Sequence, residues 1–226
     1  MEVLHIMPSW FWGTNLIFEC LFFIFAVAIS FYAFRIYKFT NQRESKIFGL
    51  SFSFLAIAHF FLIILNSFFL SILQGGFRAV EFGDILGMRN LTAALYICFL
   101  ILGLITLSYM SLKIKSLKTY FLVIILSASF LLLSTNKSLT LYTLSAIFLF
   151  FIALYYAQEF KKTHNKNTLL VFIGFTLLFL SNLLFALTAN YLLSGAYVLS
   201  YLIEALGYAS ITMSLINVFK YGKKKK

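Results

Sequence analysis

Seven apolar runs, each long enough to cross a bilayer, divide this chain, and nothing constrains its fold more. They extend over Phe11–Phe34, Ile47–Leu73, Asn90–Leu112, Thr119–Thr135, Leu139–Phe160, Thr168–Asn190 and Ala196–Phe219. About 20 apolar residues in helical form span a hydrocarbon core. Lipid offers no partner to backbone N–H and C=O groups, so each run has to be a helix. The fourth is the shortest. Charged residues make up only 11% of the chain, against about a quarter in soluble domains. The sequence therefore predicts an all-α, polytopic membrane protein: one membrane domain over residues 1–226, closed by the polybasic tail 223–226.

Connector charge sets the expected orientation. Arg35, Lys38, Arg43 and Lys46 follow the first run, and Lys113, Lys115 and Lys118 the third. Lys161, Lys162 and Lys166 follow the fifth, and Lys220 with the tail follows the seventh. Between them, Arg78 and Arg89 are offset by Glu81 and Asp84, Lys137 stands alone, and the last connector has no charge. By the positive-inside rule the N-terminus lies outside and the C-terminus in the cytosol. Trp10 and Trp12 then fall at the outer interface, and the expected site is the plasma membrane. The formal charge of +11 belongs to this anchoring pattern and predicts no nucleic-acid partner. With no basic segment before it, the first helix is its own insertion signal. Cys20 and Cys98 form no CxxC pair and read as small apolar residues, so neither a disulfide framework nor a metal site is expected.

An internal repeat is a second organising feature. The segment Ser51-Phe-Ser-Phe-Leu-Ala-Ile-Ala-His59-Phe-Phe61 resembles Gly174-Phe-Thr-Leu-Leu-Phe-Leu-Ser-Asn182-Leu-Leu184, with His59 opposite Asn182. Each follows a basic connector and an aromatic helix end, Phe31-Tyr32-Ala33 and Tyr155-Tyr156-Ala157. Leu102-Gly103 in helix three stands where helix seven has Leu206-Gly207. Helices one to three are thus expected to recur as five to seven in the same orientation, with helix four as linker. Such a three-plus-one-plus-three bundle resembles, in architecture, the grouping of SWEET-type transporters, opsins and seven-helix receptors. That resemblance implies a site within the bundle and makes helices one, two and seven neighbours. Helix seven has no lysine within its apolar run and Pro8 is the sole proline, so no retinal Schiff base and no proline kink is expected.

Ionisable groups inside the apolar runs are Glu19, His59 and Glu204. Such groups face the bundle interior or water and mark function by default. At 1.5 Å per residue, Glu19 lies about 10 Å below Trp12, Glu204 about 14 Å below Gly195 and His59 about 20 Å above Lys46, which are similar depths. Tyr197, Tyr201, Glu204 and Tyr208 share one face of helix seven, and Asn15, Glu19, Ala26 and Ser30 one face of helix one. Asn66 lies two turns along from His59 on its face. These residues, with Asn182, predict a polar chamber open to the outer side, centred on Glu204 with tyrosine donors from its own helix. Two carboxyl groups in a low-dielectric site do not both ionise cheaply, so Glu19 and Glu204 are expected to share a proton unless a cation or protonated His59 compensates. The competing structural reading is a buried network that serves only helix packing.

Lys223, Lys224, Lys225 and Lys226 are expected to meet anionic headgroups at about 1 kcal/mol each. Asn90-Leu-Thr92 and Asn136-Lys-Ser138 match the N-glycosylation pattern, each against a membrane boundary. No HExxH, GxSxG or CxxC pattern occurs, so neither enzyme activity nor a cofactor is predicted. Three functions fit: a small-solute transporter that couples to protons or takes a cation, a receptor-like sensor docking a cytosolic protein partner, and a non-catalytic packing subunit of a membrane complex. Transport accounts best for the chamber, the repeat and the lack of any soluble domain.

Overall fold

The computed structural model describes residues 12–73, 82–114, 116–191 and 194–224. They form seven helices: α1 (Trp12–Thr40), α2 (Arg43–Leu73), α3 (Phe82–Ser111), α4 (Leu117–Leu133), α5 (Lys137–Thr163), α6 (Lys166–Tyr191) and α7 (Ser194–Lys224). There is no strand among the described residues.

The helices overrun the apolar runs that announce them. Apolar length measures bilayer thickness, whereas a helix ends where a cap or turn halts its backbone bonding. Arg35 and Lys38 are still helical, and α3 starts early enough to include Gly83, Asp84 and Arg89. Residues 82–89, between the second and third apolar runs, therefore belong to α3; residues 74–81 lie outside the described residues, as does Trp10. α1, α3 and α5 each give way to a residue of positive φ: Asn41 (54°), Lys113 (51°) and His164 (47°). At Asn41 and His164 the N–H returns to the carbonyls of Tyr37 and Phe160, both at 2.8 Å, a left-handed helix stop. The three basic connectors thus open with the same kind of turn. At the other end Asn136 Oδ1 accepts from Leu139 N at 3.0 Å, so this asparagine of the second glycosylation pattern is engaged as the N-cap of α5.

Six helices close a ring: α1 packs on α2, α2 on α3, α3 on α5, α5 on α6, α6 on α7 and α7 back on α1. α4 stands outside it against α3 and α5. It runs back along α3, with Tyr120 Oη 3.0 Å from Thr106 Oγ1 near one end and Leu131 clustered with Ile101, Ile105 and Leu141 near the other. Its 17 residues reach about 26 Å, and six helices, all but this one, are long and apolar enough to span a membrane.

The ring's interior is apolar and close-packed around Phe22, Ile29, Phe52, Leu107, Ile152, Phe175 and Ile211, each fully buried. Its outer surface is equally apolar, with Ile17, Ile24, Ile125, Leu206 and Met213 about 60% exposed. A soluble monomer does not present so continuous an apolar surface. The chain is a multi-pass helical membrane protein. Three glycines sit at close approaches between helices. A Cβ on Gly103 would stand 2.9 Å from Leu55 Cδ2 and 3.1 Å from the Ser51 carbonyl of α2. One on Gly207 would stand 3.0 Å from Leu178 Cδ2 and 3.0 Å from the Gly174 carbonyl of α6.

Candidate functional site

Helical spacing brings the polar groups together. On α1, Asn15, Glu19, Phe22, Ala26 and Ile29 recur at three- and four-residue steps, and all are buried. On α2, Phe52, Leu55 and His59 form the matching inward stripe; on α7 it is Tyr197, Tyr201, Tyr208 and Ile211. α1 packs between α2 and α7, so the three stripes meet at mid-depth.

A continuous hydrogen-bonded chain results. His59 Nδ1 lies 3.0 Å from Glu19 Oε2, and His59 Nε2 lies 3.0 Å from Tyr208 Oη. Tyr201 Oη donates to Glu19 Oε1 at 3.1 Å, and Tyr197 Oη is 3.3 Å from Tyr201 Oη. Both oxygens of Glu19 are therefore occupied. The geometry accommodates either charge state of His59. Neutral, it donates from Nδ1 to Glu19 and accepts from Tyr208; protonated, it donates from both nitrogens and Tyr208 becomes an acceptor. Adding a proton requires only that one hydroxyl turn round.

Phe22 holds this arrangement in place. Its fully buried ring stacks on Tyr201 at 5.9 Å and on Tyr208 at 5.5 Å, and lies 5.5 Å from the His59 ring. Sequence reasoning passed over it as one of many phenylalanines, although its three-residue step from Glu19 put it on the polar face. Two further tyrosines were missed in the same way. Tyr96 of α3 and Tyr142 of α5 line a cavity of about 50 Å³ inside the ring, together with Glu19, His59, Tyr201 and Glu204. Each reads from sequence as an ordinary aromatic in an apolar run.

The cavity has walls from all six ring helices. A water molecule needs about 10–15 Å³ measured this way, so there is room for a few waters or one small ion, and not for a large solute. Glu204 is half-buried and lines it, and makes no hydrogen bond among the described residues. Here the structure departs from expectation. Of the tyrosines expected to serve Glu204, Tyr201 bonds to Glu19 and Tyr208 to His59, their hydroxyls pointing across the ring towards α1 and α2, while Tyr197 meets Tyr201. Glu19 and Glu204 line one cavity, yet share no hydrogen bond; the oxygens of Glu19 bond to His59 and Tyr201. Asn182 lines the cavity and bonds back to the Leu178 carbonyl at 2.9 Å. Asn66 is half-buried and is not among the cavity residues. Tyr197 lies one turn beyond it. Ser145 lines the cavity with a buried hydroxyl that has no partner among the described residues. Cys20 and Cys98 are exposed on the outer surface. No cluster of metal-ligating side chains occurs among the described residues. Lys223 and Lys224 end α7, while Lys225 and Lys226 lie outside the described residues.

Towards the basic end, aromatic rings separate this cavity from a second one of about 280 Å³. Phe175 lines the first; Phe48 and Tyr156 line the second. Tyr156 stacks on Phe175 at 5.3 Å and 13°, and Phe48 meets it edge-on at 6.2 Å. Glu44 and Glu159 line the second cavity, although Lys162 pairs with Glu159 at 3.4 Å. No protein-family model, curated protein or solved structure matches the chain.

Proposed function

We propose that this protein is a transporter that exchanges protons for a small cation, held in a form closed around its central cavity. The observation that carries the reading is the contrast between its two membrane acids. Glu19 is fully engaged by His59 and Tyr201, while Glu204 faces the cavity with no protein partner among the described residues. A carboxylate inside a membrane bundle without a partner is costly unless it holds a proton or meets a cation. Proton and cation therefore compete for Glu204, and that competition is the coupling. The Glu19–His59–Tyr208 chain supplies a second place for a proton next to the same cavity. The Phe48–Phe175–Tyr156 stack serves as the barrier on the basic side, taken as cytosolic by the positive-inside rule. Without an intramembrane proline, opening falls to whole helices moving at the close contacts of Gly103, Gly174 and Gly207.

The test is proton movement in vesicles holding the purified protein and a trapped pH-sensitive dye. Sodium, potassium, guanidinium and tetramethylammonium are each offered outside; none crosses as a free base. An inward gradient of the right cation raises the internal pH, and Glu204→Gln abolishes the rise while the protein stays folded. Failure of all four cations to move protons through folded wild-type protein removes the reading in favour of a packing subunit. A rise that survives Glu204→Gln moves the exchange site elsewhere.

A further inference from the structure

Because α4 lies outside the ring, it leaves a groove between itself and α2, floored by the end of α3. That groove is a cavity of about 480 Å³ at the basic end of the bundle, the largest of those described. It shares no residue with the central cavity. Its lining is graded with depth. Arg43 and Lys46, at the start of α2, stand at the rim, both exposed. Leu50 follows Lys46 by one turn and is 44% exposed; across from it Leu117 and Phe121 of α4 are 63% and 54% exposed. The floor is neutral, with Thr106 bonded to Tyr120. Neither Arg43 nor Lys46 makes an ion pair among the described residues; Lys46 Nζ rests 5.7 Å over the Tyr37 ring. The neighbouring acid Glu44 lines the other basic-end cavity instead.

Two unpaired cations at the rim, with exposed apolar walls one turn deeper, have the layout of a phospholipid and not of a soluble ligand. We propose that this groove is a binding site for one anionic phospholipid. Its phosphate and headgroup charge meet Arg43 and Lys46, and an acyl chain lies along Leu50, Leu117 and Phe121. The bound lipid fills the gap beside α4, the helix most thinly packed against its neighbours, and so joins it to the ring. Basic pockets between membrane helices are suited to such headgroups, and Arg contributes a forked donor that matches phosphate.

Native mass spectrometry of the full chain, released from micelles containing equal phosphatidylglycerol and phosphatidylcholine, tests this. Wild-type protein is expected to retain one phosphatidylglycerol in preference to phosphatidylcholine. The double variant Arg43→Gln, Lys46→Gln should lose about fivefold of that preference for each cation removed, about 25-fold together. Lys161→Gln with Lys162→Gln removes equal charge from the same end of the bundle and should leave the preference intact. In vesicles, Phe121→Trp should be quenched more by brominated phosphatidylglycerol than by brominated phosphatidylcholine. Equal loss in both double variants reduces the effect to general surface charge and overturns the site. So does retained preference in the Arg43, Lys46 variant, or equal quenching by the two lipids.

Discussion

The two three-helix halves of the ring pack alike and carry different chemistry. In α1–α3, Gly103 lies against Leu55 and the Ser51 carbonyl; in α5–α7, Gly207 lies against Leu178 and the Gly174 carbonyl. These pairs fall at the positions that sequence similarity sets opposite each other. Extended without a gap into α1 and α5, the same alignment places Ile29 against Ile152, both wholly buried, and Phe22 against Ser145, also both buried. At the centre the halves part company. Where the first has Glu19 and His59, the second has Tyr142 and Asn182, and all four line the cavity. Packing is needed twice to close a ring, whereas a titratable pair is needed once.

The strongest way to break that comparison is to remove the charge from the first half. Glu19→Leu leaves His59 and Tyr201 facing an apolar side chain in a dry setting. Losing one member of a buried pair costs about 3–5 kcal/mol, so a large fall in apparent Tm in detergent is expected. Tyr142→Phe, the matched change in the second half, removes a hydroxyl that makes no hydrogen bond among the described residues, and should cost less than about 1 kcal/mol. Equal losses at the two positions would show that the halves do not differ in the way described.

Next come the glycines, where the halves should behave the same. Gly103→Ala and Gly207→Ala each put a methyl group within about 3 Å of a leucine and a backbone carbonyl. Overpacking of this kind costs about 1–3 kcal/mol, and both variants should lose a similar share of thermal stability. Gly174→Ala should be the worst of the three, since its Cβ would meet Ile211 Cγ1 at 2.5 Å. A harmless Gly207→Ala beside a damaging Gly103→Ala would argue against equivalent packing.

How much of this was legible in the sequence follows from which forces act along the chain and which act across it. Helix number and apolar extent are local, because lipid forces every backbone group in a span to be satisfied within its own segment. The similar depths of Glu19 and His59 also came from counting residues, and they do meet. Which tyrosine serves which carboxyl was not legible. Tyr201 and Glu204 lie on neighbouring faces of α7, but hydroxyl direction is decided by the ring across from them, and Phe22 turns both Tyr201 and Tyr208 towards α1 and α2. The groove beside α4 was hidden for the same reason. A 17-residue helix reads as one more span until its neighbours place it outside the ring.

The smallest expected change in stability belongs to Glu204, and it sharpens the comparison most. Glu19 and Glu204 are chemically identical, and both border the central cavity. Glu19 is 2% exposed and bonded through both oxygens; Glu204 is half-buried and unbonded among the described residues. Gln in place of Glu keeps shape and removes the negative charge. On the proposed reading Glu204 carries a proton when no cation is bound, and no protein donor loses its acceptor, so Glu204→Gln should shift stability by less than about 1 kcal/mol. At Glu19 the same change replaces one of two accepting oxygens by an NH2 donor, so one of its hydrogen bonds must be lost or reversed, and it should cost about 1–3 kcal/mol. Thermal denaturation of both variants, run beside the vesicle assay, separates structure from function. A packing role for both acids requires both variants to lose stability together. An exchange role for Glu204 requires its variant to melt with the wild type and yet move no protons, because a group held for a transported cation contributes nothing to the fold that its amide cannot supply.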